Sequence, residues 1–289
     1  MGCDFERAKK YSIVLQGPLG VGKSTIAGEL AKRTNLPHVW ADSLRSCPKN
    51  CEEMEEKIER YTKEIARLEK MDDSPFVKSE LNSYKSVLWL QQNYLSQRKL
   101  FPNLPNYFDF GFIPETSACL RDCYGPFAWH MYHKQFENML LEELTKQVNF
   151  PCILDLGGGM ASSPKEAYDK TLIKILESNN RYFSEETVND VFNFEKMDFN
   201  VIKNSLKPFK NVVTFKQKIK NSNGRGEGAE LLNEAFIASG DFDKTATISV
   251  DATGLISDNG LNDEKVNEIV SKILSARNGN PSTEDDFSM

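Results

Sequence analysis

The sequence lacks features that define several classes of protein. No apolar run approaches the ~20 residues that a helix needs to cross a bilayer, and no apolar core of a secretion signal is present near residue 1. Basic residues are not in excess, because 36 Lys and Arg stand against 42 Asp and Glu, for a formal net charge of -6. Such a chain has no global attraction to nucleic-acid phosphates or anionic lipid. We therefore expect neither a membrane nor a nucleic acid as partner.

Cysteine and histidine are also scarce. Six cysteines in 289 residues are too few for a disulfide scaffold, so we expect a cytoplasmic protein with reduced thiols. Four of them form two Cys-x₃-Cys pairs, Cys47 with Cys51 and Cys119 with Cys123. Three interpretations are open: ordinary thiols, a four-cysteine zinc site, or disulfides in an oxidising compartment. The three histidines show no metal-ligand spacing with one another.

The composition is that of an ordinary globular protein. Hydrophobic residues make up 39% of the chain, aromatic residues 10% and charged residues 27%. At 289 residues, one large domain or two modest ones are expected, with enough chain to bury a sizeable core.

The strongest signal lies near the start of the chain. A short apolar run over residues 11–16 predicts a buried strand, and Gly17-Pro18-Leu19-Gly20-Val21-Gly22-Lys23-Ser24-Thr25 follows it. This stretch satisfies the phosphate-loop pattern of Gly, four residues, then Gly-Lys-Ser/Thr. Apolar residues then recur at helical spacing to about Thr34. Strand, glycine loop and helix therefore come in the order that the motif requires.

These residue types suit the binding of a nucleoside triphosphate. Glycines allow a tight turn that aims consecutive N–H groups, here those of residues 20–24, at an anion beside the positive end of a helix. In this pattern Lys23 reaches the β- and γ-phosphates and the Ser24 hydroxyl ligates Mg²⁺. We expect ATP and Mg²⁺ as ligands.

Two further apolar runs end near acidic residues. Residues 36–43 predict a second strand that ends at Asp42, a carboxylate suited to orient or deprotonate an acceptor hydroxyl; a turn or cap residue is the alternative. A third strand over 152–156 carries Asp155, suited to hold Mg²⁺ through water. Gly157, Gly158 and Gly159 follow it and would permit close approach of a ligand, or form a flexible turn. Strands over 211–215 and 247–251 and a helix around 262–275 complete the pattern.

Together these segments resemble the shikimate kinase family, small P-loop kinases of the nucleoside monophosphate kinase fold. The resemblance rests on the phosphate loop, on Leu-Pro-x-Val-x-x-Asp ending at Asp42, on Gly157–Gly159 and on the terminal strand and helix. It implies a three-layer α/β/α fold with a five-stranded parallel sheet, and a lid over bound ATP. It also implies that Asp42 contacts the acceptor hydroxyl and that the three glycines bind substrate.

The chain departs from the family at several positions. Trp40 replaces the first aspartate of an Asp-x-Asp pair, and Asp155 is the candidate to substitute for it as a magnesium ligand. Lys134 stands where the family has a substrate-binding arginine, and Ala238 where it has a second one. Both losses argue against shikimate itself as substrate. The family's lid arginine is best matched by Arg225, for which an exposed loop residue is the alternative.

Additional segments lengthen the expected kinase core, which comprises residues 1–46 and 111–277. Heptad-spaced apolar residues predict an inserted antiparallel helical hairpin over 47–110, and Asp72-Asp73-Ser74-Pro75 separates its helices. This hairpin would either cover the acceptor site or dock a protein partner. Residues 101–127 predict an irregular return, 178–210 a second insertion without a functional interpretation, and 278–289 a disordered tail.

We therefore expect an ATP-dependent small-molecule kinase that transfers the γ-phosphoryl group to a hydroxyl. Lys23, Asp42 and Arg225 are its candidate catalytic residues. A nucleotide-binding interaction protein with a degraded acceptor site is the alternative.

Overall fold

A computed structural model describes residues 5–71, 74–178, 185–216, 227–257 and 260–278 of the chain. The chain divides into two units. One, the sheet unit, contains the residues up to Ala41 and those from Gly111 onward. The other, the hairpin unit, spans Asp42–Phe110. The boundary lies five residues before the predicted start of the insertion at residue 47, so Asp42 belongs to the hairpin unit.

The sheet unit is built on five parallel strands in the order β2-β3-β1-β4-β5. The strands are β1 (Ile13–Gln16), β2 (His38–Trp40), β3 (Ile153–Asp155), β4 (Asn211–Lys216) and β5 (Ile248–Asp251). All five predicted strands and the α/β class are thus confirmed. Because β1 lies between β3 and β4, all of its residues are buried, as expected for the centre of a parallel sheet.

Helices contact both faces of this sheet, which is compatible with a three-layer α/β/α arrangement. On one face, α2 (Lys23–Thr34) and α14 (Asp263–Asn278) form a core with alternate strand residues such as Leu15 and Val213. On the other face, Gln16 donates a hydrogen bond of 2.8 Å to the carbonyl of Phe242 in α13 (Asp241–Thr245). The predicted helix after the glycine loop and the predicted terminal helix are both present.

Helix α1 (Phe5–Tyr11) precedes β1, and the other helices of the sheet unit fill the long connections between strands. They are α6 (Pro114–Tyr124), α7 (Pro126–Gln147), α8 (Lys165–Glu177), α9 (Glu185–Val191), α10 (Phe194–Met197), α11 (Phe199–Leu206) and α12 (Glu227–Ser239). A two-stranded antiparallel ribbon, β6 (Ile256–Ser257) with β7 (Gly260–Leu261), follows β5.

Helix α7 is the packing centre of these connections. Helices α6, α8, α10, α11 and α12 all contact it. Its buried amides bind neighbouring main chain: Gln135 donates to the carbonyl of Val191 at 2.9 Å and Asn138 to that of Lys196 at 2.7 Å. One expectation is corrected here, because residues 101–127 are not wholly irregular and contain α6. The described part of 178–210, expected only as an insertion, contains α9, α10 and α11.

The hairpin unit contains the predicted pair of helices. Helix α4 (Cys51–Leu68) and α5 (Pro75–Leu100) run antiparallel, with Glu55 paired to Lys99 and Glu69 to Lys85, each at 2.9 Å. The predicted apolar stripes lie between the helices, where the tilted rings of Tyr61 and Tyr84 pack with their centroids 5.9 Å apart. Around them lie α3 (Ala41–Leu44) and a 3₁₀ helix over Tyr107–Phe110.

A buried arginine of α5, Arg98, binds main-chain groups of the segments that flank the two long helices. Arg98 is 2% exposed, and its guanidinium group donates to five main-chain carbonyl oxygens. The acceptors are Cys47, Pro48, Phe101, Pro102 and Leu104, at 2.6–3.4 Å. A charge removed from water is tolerated when its donors are satisfied, so Arg98 holds the segments that flank the two long helices together.

Candidate functional site

The glycine-rich loop connects the end of the central strand β1 to the start of α2. Gly17, Gly20 and Gly22 have φ angles of 144°, 76° and 91°. At Gly22 the requirement for glycine is twofold, since φ is left-handed and an added Cβ would lie 2.6 Å from Cδ2 of Leu255. The loop is therefore a shaped turn, and it leads directly into the N-terminus of a 12-residue helix.

The electrostatics of this helix start favour an anion. The first turn of α2 contains no acidic residue, whereas Lys32 and Arg33 lie in its last turn. The helix dipole therefore gives this end a positive potential that no acidic side chain of the first turn offsets. Ser24 and Thr25, which follow the glycines, are exposed. The predicted magnesium ligand Ser24 is thus accessible.

Lys23 lies over the loop that precedes it. Its side chain is buried, and Nζ donates to the carbonyl of Gly17 at 3.0 Å and to that of Pro18 at 2.8 Å. The ammonium group is therefore directed along the loop, where a phosphate would meet it. Binding of a polyphosphate would exchange these carbonyl oxygens for phosphate oxygens.

Asp155 ends β3, beside the strand that carries the loop. Its carboxylate is 1% exposed and lies opposite Leu15 of β1 in the parallel ladder. Within the described residues, its Oδ2 atom accepts no hydrogen bond, and it pairs with Nε2 of His38 at 3.5 Å. A buried carboxylate oxygen with remaining capacity fits a water-mediated ligand of Mg²⁺, so the residues present are compatible with the ion. The partner His38 was not predicted, because the contact depends on the β2–β3 register.

Asp42 differs from its predicted setting. Strand β2 ends at Trp40, and Asp42 lies in the short helix α3 of the hairpin unit. Its Oδ1 atom pairs with the guanidinium group of Arg45 at 2.7 Å. Asp42 is therefore not a strand-end carboxylate, and an adjacent cation balances its charge.

Lys134 and the glycines after β3 do come together, but inside the protein. The Lys134 side chain has no exposed surface; Nζ donates to the carbonyls of Gly159 at 3.1 Å and Met160 at 2.6 Å and pairs with Glu137 at 3.4 Å. The sequence predicted a substrate-binding cation here. The structure instead gives Lys134 an internal role, because a long side chain of α7 can reach the turn after β3.

The glycine run also serves internal packing. A Cβ at Gly158 would lie 2.1 Å from Cδ2 of Leu19, and one at Gly159 would lie 2.5 Å from the Phe236 ring and 3.0 Å from Nε2 of His130. Protein side chains therefore make a close approach to the main chain at positions 158 and 159. Gly157, which lies in the chain between β3 and these two glycines, is also buried.

The remaining predicted site residues are placed as follows. Arg225 lies outside the described residues. Cys119 and Cys123 are on α6 of the sheet unit, with Sγ atoms 3.9 Å apart, whereas Cys47 and Cys51 belong to the hairpin unit. All five cysteines in the described ranges are free thiols. No group of three or more His, Cys, Asp or Glu side chains among those residues is placed to hold a metal, so no four-cysteine zinc site is seen there.

One cavity adjoins the glycine-rich loop. It has a volume of about 350 Å³ and is lined by Pro18 of the loop, by Lys216 and Asp251 at the ends of β4 and β5, and by Phe242 and Thr253. Its lining is mainly apolar with a few charged groups at the carboxyl edge of the sheet. Small-molecule sites of α/β proteins have this position and character.

Asn233 was not predicted from the sequence. This buried side chain of α12 bonds to both main-chain groups of Leu19 in the loop. The two residues are 214 positions apart, and no local spacing pattern connects them.

The chain matches no protein-family model, no curated protein and no solved structure. In the part of the chain that the structure describes, no helix combines the length and apolarity of a membrane span. The function has therefore to be inferred from the chain's own residues.

Proposed function

We propose that the chain is a P-loop nucleotide-binding protein and that its activity is ATP-dependent phosphorylation of a hydroxyl on a small molecule. The observation that carries this proposal is the glycine-rich loop over Gly17–Thr25. It joins the carboxyl end of the central parallel strand to a helix N-terminus, with Lys23 folded over it. Residues of this type in this order bind polyphosphates in P-loop proteins.

Neighbouring features support a nucleotide with magnesium. The buried Asp155 carboxylate on the adjacent strand and the exposed Ser24 hydroxyl are the candidate ligands of Mg²⁺. When bound, the ion would neutralise developing charge on the phosphates. The cavity beside Pro18 falls within the size range of small-molecule pockets and could receive the rest of the nucleotide. A reducing, cytoplasmic setting completes the proposal.

In the proposed reaction, the acceptor oxygen forms a bond to the γ-phosphorus as the bond to the β–γ bridging oxygen breaks. ADP leaves with the electron pair, and the hydroxyl proton passes to a general base. Lys23 would move from the carbonyls of Gly17 and Pro18 to the β- and γ-phosphates. Positioning and electrostatic stabilisation supply most of the rate in such a loose transition state. The resemblance to shikimate kinases supports a hydroxyl group as the acceptor. The presence of Lys134 and Ala238 where the family has arginines argues against shikimate itself.

Specific observations favour the alternative, a nucleotide-binding interaction protein. Lys134, Gly158 and Gly159, which the resemblance assigns to substrate binding, are engaged by the protein itself, and Asp42 is paired with Arg45. In that case the hairpin unit would dock a protein partner, and the nucleotide would act as a switch or a structural ligand.

Calorimetric titration with MgATP tests the shared part of both hypotheses. We expect Lys23→Ala to abolish tight binding, since it removes the ammonium group at the phosphates. The control Lys32→Ala changes an exposed lysine of the same helix and should bind as the parent protein does. Equal binding by the Lys23→Ala variant would show that the loop assignment is wrong.

Turnover separates the two functions. ATP consumption would be measured with sugar acids, polyols and nucleosides against a reaction without acceptor. For a kinase, at least one acceptor raises ATP consumption above that of the reaction without acceptor. Bound ATP with no stimulation by any acceptor would favour the binding module.

A further inference from the structure

The side chain of Asn233 binds the glycine-rich loop through both of its polar atoms. The Leu19 amide donates to Oδ1 at 2.7 Å, and Nδ2 donates to the Leu19 carbonyl at 3.1 Å. Asn233 is 1% exposed and belongs to α12, an element far from the loop in sequence. One carboxamide thus bonds to both the N–H and the C=O group of Leu19, as the main chain of a neighbouring strand would.

The same loop residue is held on its other side. The Leu19 side chain lies where Gly158 lacks a Cβ, and Phe236, three residues after Asn233, lies against Gly159. Helix α12 and the glycine run after β3 therefore enclose the loop at Leu19. A contact from two sides restricts both the position and the rotation of this peptide.

The hydrogen bonds divide the loop into two halves. In the first half, the carbonyls of Gly17 and Pro18 accept from Lys23, and Leu19 is bonded to Asn233. In the second half, the amides of residues 20–24 are those that the motif directs at phosphate. An amide that donates to Asn233 at 2.7 Å is already engaged, so the Leu19 N–H belongs to the support of the loop.

We propose that Asn233 is a positioning residue of the phosphate-binding loop, which fixes Leu19 so that the following amides face the polyphosphate before it binds. This inference rests on the proposed function. Donors that are already oriented need no reorganisation on binding, and this raises the affinity for the anion. Loss of the carboxamide should therefore weaken polyphosphate binding without contact between Asn233 and the ligand.

The test compares Asn233→Ala with the parent protein in titrations with MgATP and with tripolyphosphate alone. We expect about ten-fold weaker binding of both, because two hydrogen bonds of ordinary strength are lost. Since the effect concerns the phosphate chain, the fold-change should be the same with and without the nucleoside. A second variant, Asn233→Asp, keeps the acceptor for the Leu19 amide but places a carboxylate oxygen opposite its carbonyl, and should also bind more weakly.

Two controls separate positioning from general destabilisation. Leu232→Ala removes a buried side chain of α12 beside Asn233, and Glu234→Ala removes an exposed one. We expect Leu232→Ala to lower the melting temperature and to leave polyphosphate affinity unchanged, and Glu234→Ala to change neither. Circular dichroism would establish that each variant is folded at the titration temperature.

The outcomes are distinguishable. If the parent protein binds polyphosphate and Lys23→Ala does not, but Asn233→Ala binds like the parent, the role of Asn233 is refuted and the proposed function stands. An equal loss in Leu232→Ala would assign the effect to stability and also refute it. If both Asn233 variants fail to fold, the side chain serves the fold rather than the loop. Absence of polyphosphate binding by the parent protein would overturn the proposed function and this inference with it.

Discussion

The contact between Leu19 and Gly158 makes a strong prediction about a position that no nucleotide needs to touch. In Gly158→Ala, the new Cβ would lie 2.1 Å from Cδ2, 2.6 Å from Cγ and 2.9 Å from Cα of Leu19. The side-chain atoms could rotate away, but the Cα atom is main chain. The glycine-rich loop itself therefore has to move.

The size of the effect follows from this overlap. Overpacking of a close contact costs about 1–3 kcal/mol in folding free energy. At roughly 2–4 °C per kcal/mol for a chain of this size, the melting temperature should fall by roughly 2–12 °C. Because Leu19 also carries the bonds to Asn233, MgATP affinity should fall by about three- to ten-fold.

Thermal melting and calorimetric titration check this prediction against a matched substitution. Gly28→Ala lies inside α2, where an added Cβ meets no atom within 4 Å. It should raise stability by about 0.5–1 kcal/mol, because alanine is favoured over glycine in a helix. In the Gly158→Ala background, Leu19→Ala should restore part of the lost stability, since two of the three close atoms disappear. A Gly158→Ala variant that melts and binds like the parent would refute the packing argument.

Two predictions concern parts of the molecule away from the loop. Arg98→Ala should lower the free energy of unfolding of the hairpin unit by about 3 kcal/mol, because several buried carbonyls lose a charged donor. Urea denaturation would measure this loss, with Arg121→Ala, at an exposed arginine, as the control. A loss no larger than that of the control would contradict the prediction. Burial raises the pKa of the Cys152 thiol from 9.0 to about 12, so its contribution to stability is complete below pH 9 and is lost as the pH rises toward 12. Between about pH 10 and 11 the parent protein should therefore lose about 1.4 kcal/mol more per pH unit than Cys152→Ala, and parallel pH profiles in urea denaturation would exclude this.

The sheet could be predicted from the sequence because its signals are local. Each strand is a short apolar run, and the β1 run is followed by glycines whose positive φ angles few other residues adopt. The hairpin was predictable for the same reason, since heptad spacing and Pro75 mark its two helices. Helix α6 was missed because the prolines and aromatic residues of the segment 101–127 suggest an irregular structure. In the structure Pro114 takes the first helical position, where its missing N–H has no cost.

The site could be predicted only in part, because residues that stabilise the loop come from distant elements. Lys23 begins α2, and its side chain folds over the loop that precedes it. Asn233 contacts the loop because α12 packs against it, and His38 contacts Asp155 because of the register between their strands. No local sequence pattern encodes either contact. At Gly158 and Gly159 protein side chains make a close approach, and the sequence does not say whether a ligand or a side chain approaches a glycine.

These corrections concern the acceptor side far more than the nucleotide side. The residues assigned to phosphate and Mg²⁺ keep settings that suit anion and metal binding, with an uncompensated helix N-terminus and a buried carboxylate on the neighbouring strand. Those carried over for the acceptor are bonded or packed within the protein, or are paired with Arg45. A kinase of this kind must therefore recognise its acceptor with groups other than Lys134 and the glycine run. For that reason ATP binding and acceptor-stimulated turnover have to be measured as separate properties, since the residues that support the first no longer imply the second.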